Sequence, residues 1–337
     1  MSQPRSSQAP RPVDATRLRV DYLPVEQLSA LLDDDRLLAV FGFGPSAPAG
    51  DDPRYLRVPL APLDPAPLEV WRSTRPVVRG RDGAIAWASD GTVQFGALQI
   101  DERDGDIEAA AAEAYALLTR FVASSATAHL LRIWNYLDAI TEGEGDQERY
   151  RRFCVGRVRG LGQFDAGHLP AATAIGRVDG VRTLQVYWLA CNRPGTPVEN
   201  PRQVSAYRYP RQYGPQPPSF ARAMLPPASV DAPLLLSGTA AVVGHQSLHP
   251  QSTEAQLEET FANFQALIAS ARRHAPALPA GFGAGSRLKV YVREAAELPL
   301  VAGLLQAHLP AAVPRLLLHA AICRRDLRVE IDGVHGP

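Results

Sequence analysis

Near the carboxyl end, apolar residues recur every third or fourth position. Leu257, Phe261, Phe264 and Ile268 share one face, the repeat of an amphipathic helix. Thr253 with Gln256 reads as a capping box, and Arg272, Arg273 and His274 lie where a helix dipole is negative. The spacing predicts a helix over 253–273. Further on the period falls to two. Leu288, Val290 and Val292 alternate with Lys289, Tyr291 and Arg293, which predicts a half-buried strand. A second helix carries Pro299 near its first turn, and strands are expected over 315–323 and 327–332. Ahead of the long helix, PLLLSGTAAVVGH at 233–245 reads as a strand or hairpin.

The first half repeats that order. Residues 87–100 read as a hairpin, and a helix opens at Asp106 with Ile107, Ala111, Ala114, Leu118 and Phe121 on one face. HLLRIWNYL at 129–137 is strand-like, 146–158 helical, and 171–176 and 183–191 strand-like. Hairpin, long helix, strand, short helix and two strands thus occur twice. The expected fold is α/β (α+β), with two similar units of mixed sheet packed against helices. The expected divisions are a disordered tail (1–14), a first unit (15–192), a connecting segment rich in Pro, Tyr and Arg (193–232) and a second unit (233–337).

Charge narrows the function. With 35 Lys and Arg against 35 Asp and Glu, the formal net charge is +0. No long-range field draws nucleic acid or an anionic membrane, and any anion must be held by local arginines. Cys154, Cys191 and Cys323 form neither a disulfide framework nor a Cys-x-x-Cys pair, so a reducing cytoplasm is expected. The first twelve residues lack the apolar run of a signal peptide, and no stretch is apolar enough to span a membrane. His245 and His249 lack the intervening Glu of a zincin, so no metal is expected. Phe41-Gly42-Phe43-Gly44-Pro45 lacks the dinucleotide fingerprint and, like Gly281–Gly285, reads as a turn.

Strand parity points to chemistry near the end of the chain. Over 315–323 the odd positions place Arg315, His319 and Cys323 on one face. Over 327–332 the polar residues Arg328, Glu330 and Asp332 share a face. A cysteine, an arginine and a carboxylate can therefore line one cleft, with Arg328 and Asp332 expected in solvent. The connecting segment adds Tyr207, Arg208, Tyr209, Arg211, Tyr213 and Arg222. Guanidinium groups grip carboxylates bidentately. Stacking of single-stranded RNA on the same residues is disfavoured by the neutral chain.

Ser237-Gly238-Thr239, the long helix, Lys289-Val290-Tyr291-Val292-Arg293, Pro314-Arg315 and Val329-Glu330-Ile331 resemble the RidA/YjgF family. That resemblance implies that Arg315 binds a substrate carboxylate and that Glu330 acts on water or a proton. A longer set of motifs resembles the chorismatases, whose fold is related to the RidA trimer. It comprises Arg132-Ile133-Trp134-Asn135-Tyr136, Arg149-Tyr150, Phe153-Cys154-Val155-Gly156-Arg157, Tyr213-Gly214-Pro215 and Phe220-Ala221-Arg222-Ala223. Ser237-Gly238-Thr239-Ala240 before Val243-Gly244-His245, and Cys323-Arg324 ahead of Glu330, complete it.

The chorismatase resemblance implies conversion of chorismate to a hydroxybenzoate with release of pyruvate, without cofactor. Glu330 protonates the enolpyruvyl ether, and Cys323 goes with 3-hydroxybenzoate. Ala240 is more like the hydrolase type, so 4-hydroxybenzoate or a dihydroxycyclohexadiene acid is also open. Arg157, Tyr207, Tyr213, Arg222, Ala240, Arg293 and Arg315 are the expected substrate-binding positions. The two units can face each other as subunits of a trimer do, so a monomer is expected. An imine deaminase of the RidA type and a metabolite-binding protein on the same scaffold are the alternatives.

Overall fold

A computed structural model describes residues 16–65, 67–162 and 165–337. The expected disordered tail, 1–14, lies outside the described residues. The chain opens with β1 (Thr16–Leu23), α1 (Leu28–Asp33), β2 (Leu37–Phe43), β3 (Tyr55–Val58) and β4 (Leu68–Ser73). Next come β5 (Val78–Asp82), β6 (Ile85–Ser89), β7 (Val93–Asp101), α2 (Ile107–Ser124), β8 (His129–Asp138), α3 (Arg149–Leu161), β9 (Ala171–Arg177) and β10 (Thr183–Cys191). The connecting segment holds β11 (Thr196–Val198), β12 (Ala223–Leu225) and β13 (Val230–Asp231). It leads into β14 (Leu234–Ala240), the short pair β15 (Val242–Val243) and β16 (Gln246–Ser247), and α4 (Thr253–Arg272). The chain closes with β17 (Arg287–Val292), α5 (Leu298–His308), β18 (Arg315–His319), β19 (Ala321–Ile322) and β20 (Val329–His335).

The repeat is present in the topology. One sheet runs β9-β8-β10-β7-β6 and another β18-β17-β20-β14-β12, the same order of corresponding strands. Corresponding pairs also agree in direction: β8–β9 and β17–β18 are parallel, and β8–β10 and β17–β20 are antiparallel. A third sheet, β13-β1-β4-β2-β3, is built mainly from the chain up to Ser73 and has no counterpart in the repeat. Its strand Leu37–Phe43 (LLAVFGF) is buried at every position, so the chain shows no alternation there. Phe41, Gly42 and Phe43 therefore belong to a strand, and Gly44, with φ +82°, and Pro45 make the expected turn. All three sheets meet in one core that joins Phe41 and Trp71 to Trp134, Tyr187, Tyr291 and Leu318.

Local chemistry sets the helices. Asp106 caps α2 by accepting from the amides of Glu108 and Ala109. The cap of α4 is Ser252, whose side chain accepts from Ala255 N, one residue ahead of the Thr253 expected. Thr253 Oγ1 donates to Glu297, and the Gln256 amide donates to the carbonyls of Leu248 and Asp326. Helix α3 starts at Arg149, later than the 146 expected, after a turn of 3₁₀ helix at Gly145–Gln147. Gly156 and Gly160 let it cross α2 closely, because a Cβ on Gly156 would lie 2.1 Å from Glu108 O. That close crossing sets the position of Arg157, the next residue.

Two strand expectations need correction. β17 is buried on both faces rather than half-buried, because Lys289 and Tyr291 point into the junction of the three sheets. The run 315–323 is two strands. Residues 315–319 pair with β17, whereas Ala321 and Ile322 cross to pair with β9 of the first unit. Pairing stops at Ala320, so residue parity is not carried through.

Candidate active site

The turn that follows that crossing, residues 323–327, forms one side of a cavity of about 490 Å³. Glu330 on β20, Gly238 and Ala240 on β14, and Thr173 on β9 line it. Cys323, just after β19, and Arg157 on α3 also face it. The connecting segment contributes Tyr209, Tyr213 and Arg222. The first unit supplies Tyr150, Arg157 and Ala172–Ala174 as well, so it forms a full wall.

Glu330 lies across from Ala240 in the β14–β20 ladder, whose register slips between Leu236 and Thr239. The irregularity brings Gly238 against the carboxyl group, where a Cβ would meet Glu330 Oε1 at 1.9 Å. Next to it, the Ser237 hydroxyl donates to Ala221 O at 2.6 Å and accepts from Ala172 N at 2.9 Å. This fastens β14 to the first unit beside the cavity.

Electrostatics holds the carboxyl neutral. Glu330 is 5% exposed, and its pKa is pushed up to about 8, first by burial and then by Asp332, against opposing pulls from Arg132, Arg222 and Arg324. Asp332 is fully buried rather than solvated, because Arg132 (2.9 Å), Thr173 Oγ1 (2.8 Å) and Tyr291 OH (3.2 Å) all donate to it. Arg328 is likewise engaged, donating from Nε to Thr253 Oγ1 at 2.7 Å and pairing with Glu297.

The guanidinium groups facing the cavity differ in what they have left to give. Arg157 is 3% exposed, lies 5.1 Å from the Tyr115 ring centroid, and has Nε and one terminal nitrogen without a partner. Arg222 donates to Val204 O and Tyr209 OH, while its Nε remains free. Arg324 donates to His245 O and stacks 4.2 Å from the Tyr213 ring centroid. Buried donors without acceptors, converging on one cavity, are suited to an anionic ligand. Cys323 is half-buried, and burial, followed by Glu330, pushes its thiol pKa well up. It is therefore a neutral thiol at the cavity wall.

Of the residues expected from sequence, Glu330, Cys323, Arg157, Tyr213, Arg222 and Ala240 line this one cavity. Tyr207, Arg293 and Arg315 do not line it. The Tyr207 ring lies by Arg208, its centroid 5.6 Å from that guanidinium. Arg293 donates to the carbonyls of Ile322, Arg324 and Leu327, bracing the turn that bears Cys323. Arg315 pairs in register with Leu288 at the far end of β18. It was expected beside Cys323 through a parity that the break at Ala320 cancels. Thr173 was not singled out in the sequence, since its role depends on Asp332, 159 positions away.

Comparison with known proteins identifies the family. Residues 69–190 match the family described as Chorismatase FkbO/Hyg5-like, N-terminal. A chorismatase of Streptomyces hygroscopicus is 36% identical over 276 residues, 80% of each chain. A 3-hydroxybenzoate synthase of the same organism is 33% identical, over 82% of this chain and 83% of its own. A crystal structure of a chorismatase superposes with a TM-score of 0.85 at 31% identity, covering 96% of this chain and 100% of that one. With such identity over four-fifths of its length and a shared fold over 96% of it, the chain belongs to the chorismatase family.

Proposed function

We propose that this enzyme converts chorismate to 3-hydroxybenzoate and pyruvate, with Glu330 as the acid. The carrying observation is a buried carboxyl, pKa about 8, set in a cavity with partner-free guanidinium nitrogens. Chorismate bears two carboxylates, and Arg157 and Arg222 offer free donors to them. Held this way, the enolpyruvyl group starts close to the acid. Glu330 delivers its proton to the methylene carbon, and an oxocarbenium centre develops at the ether carbon. Water adds there, the bond from that carbon to the ring oxygen breaks, and pyruvate leaves. The ring then loses its neighbouring hydroxyl as water, together with a ring proton, and becomes aromatic. No electron is gained or lost overall, so the chemistry calls for no redox cofactor.

Cys323 supports the aromatic product as a neutral, weakly polar surface. A thiol whose pKa is pushed up by burial does not supply a thiolate, so a covalent role is disfavoured. We also read the chain as a monomer, because its third sheet closes the core that the two repeated units share. Incubation with chorismate and chromatography of the products tests the product assignment. 3-Hydroxybenzoate together with an equal amount of pyruvate supports it; a dihydroxycyclohexadiene acid as the sole ring product refutes it.

A further inference from the structure

Behind Glu330, away from the cavity mouth, lies a closed group of four charges. Lys289 Nζ sits 2.7 Å from Glu69 Oε2 and 3.7 Å from Asp332 Oδ1. Arg132 donates to the other oxygen of Asp332 at 2.9 Å. Exposure is at most 3% for all four residues. Glu69 is fixed by Trp71, whose Nε1 donates to Oε1 at 2.8 Å. Lys289 lies 5.4 Å from the Trp134 ring centroid and 5.7 Å from that of Phe41. Three units supply the group: Glu69 comes from β4 of the unrepeated sheet, Arg132 from β8, and Lys289 and Asp332 from β17 and β20.

Two anions and two cations balance. Asp332 stands two residues from Glu330 on the same face of β20, and Thr173 touches both the Asp332 carboxylate and the cavity. An ionised Glu330 would be a third anion beside an already balanced group.

We infer that Glu69 is a positioning residue of the reaction, acting on Glu330 through Lys289 and Asp332. Because Glu69 engages Lys289 at the shorter distance, Asp332 keeps its charge facing Glu330. Without Glu69, Lys289 would turn wholly to Asp332 and screen it. The sheet outside the repeat thereby contributes to the chemistry although Glu69 does not line the cavity. The other groups facing Glu330 are Arg132 from β8, Arg222 from the connecting segment, and Cys323 and Arg324 from the turn after β19. Tyr150 on α3, Tyr291 on β17 and Arg293 also face it, and Arg157 on α3 lines the same cavity. The inference rests on the reading of Glu330 as the acid.

The test is the pH profile of kcat/KM for pyruvate release from chorismate, in wild type and Glu69→Gln. An acid works while protonated, so wild-type activity falls as pH rises through the Glu330 pKa. Removing a negative charge from the group favours the Glu330 anion, so the alkaline fall moves to lower pH by about one unit. At pH 9 the variant is then roughly tenfold slower, and at pH 6 the difference is much smaller. Glu69→Gln/Lys289→Gln, balanced again, returns the fall toward its wild-type position. If Glu69→Gln does not fold, Lys289→Gln is measured instead, and its fall must move to higher pH. A fall at the wild-type pH in the variant that folds, with activity reduced equally at every pH, means a structural role only and overturns the inference. A wild-type profile without an alkaline fall, or turnover retained by Glu330→Gln, instead overturns the reading of Glu330 itself.

Discussion

Gly238 and Glu330 fit each other at a distance that admits no side chain: a Cβ at 238 would lie 1.9 Å from Glu330 Oε1. The ladder slips beside Gly238, so backbone rather than side chain packs against the acid. Strand glycines weaken a strand, and this one is kept where the carboxyl group needs the space.

Gly238→Ala should therefore displace the carboxyl group. Overpacking of this kind costs about 1–3 kcal/mol, and the loss falls on the position of the acid. We expect kcat for pyruvate release to drop roughly tenfold to hundredfold, with a smaller change in KM. Unchanged kcat in a folded variant would contradict the contact.

Stability should carry the mark of Glu330. Its folded pKa, about 8, lies above the ordinary value of 4.5. The folded chain thus holds this proton more tightly, and the stability it contributes is complete below about pH 4.5. That contribution is lost as pH rises toward 8, by up to about 3–5 kcal/mol. Glu330→Gln stays neutral and escapes the loss. The Tm of the variant minus that of wild type should grow from pH 5 to pH 9. A difference independent of pH would mean that Glu330 titrates normally.

Arg157 has buried nitrogens that no protein group accepts. Arg157→Met should reduce kcat/KM for chorismate about 10- to 100-fold, the range of a charged hydrogen bond. Because an unsatisfied cation is removed at the same time, Tm should not fall. A drop in Tm with kcat/KM intact would assign Arg157 to the fold instead.

Cys323 should act on product choice. Cys323→Ala removes part of the wall that holds the hydrolysed ring, without changing a charge, so the diol can leave before its second hydroxyl is lost. We expect chorismate consumption within about tenfold of wild type, with part of the ring product diverted to the dihydroxycyclohexadiene acid. Chromatography of both products measures the ratio. An unaltered ratio would show that Cys323 only packs.

Helices and alternating strands were legible because their polar and apolar positions follow a period. The α4 stripe of Leu257, Phe261, Phe264 and Ile268 is an instance, and the order of such elements exposed the repeat. Leu37–Phe43, buried on both faces, offers no period, and the sheet around it went unread. Arg315 was misplaced for a related reason. RLLLHAAIC reads as one strand, and nothing local marks Ala320 as the point where the chain changes sheets. Glu330, Cys323 and Arg157 were found through motifs. The Arg132–Asp332 pair joins residues 200 positions apart, a relation that spacing within one sequence does not reveal.

The most direct measurement follows pyruvate release from chorismate by wild type and Glu330→Gln at pH 7. The account predicts steady turnover by the wild type and a loss of at least about a hundredfold in the variant, whose amide cannot deliver the proton. Comparable turnover by a folded Glu330→Gln would contradict it.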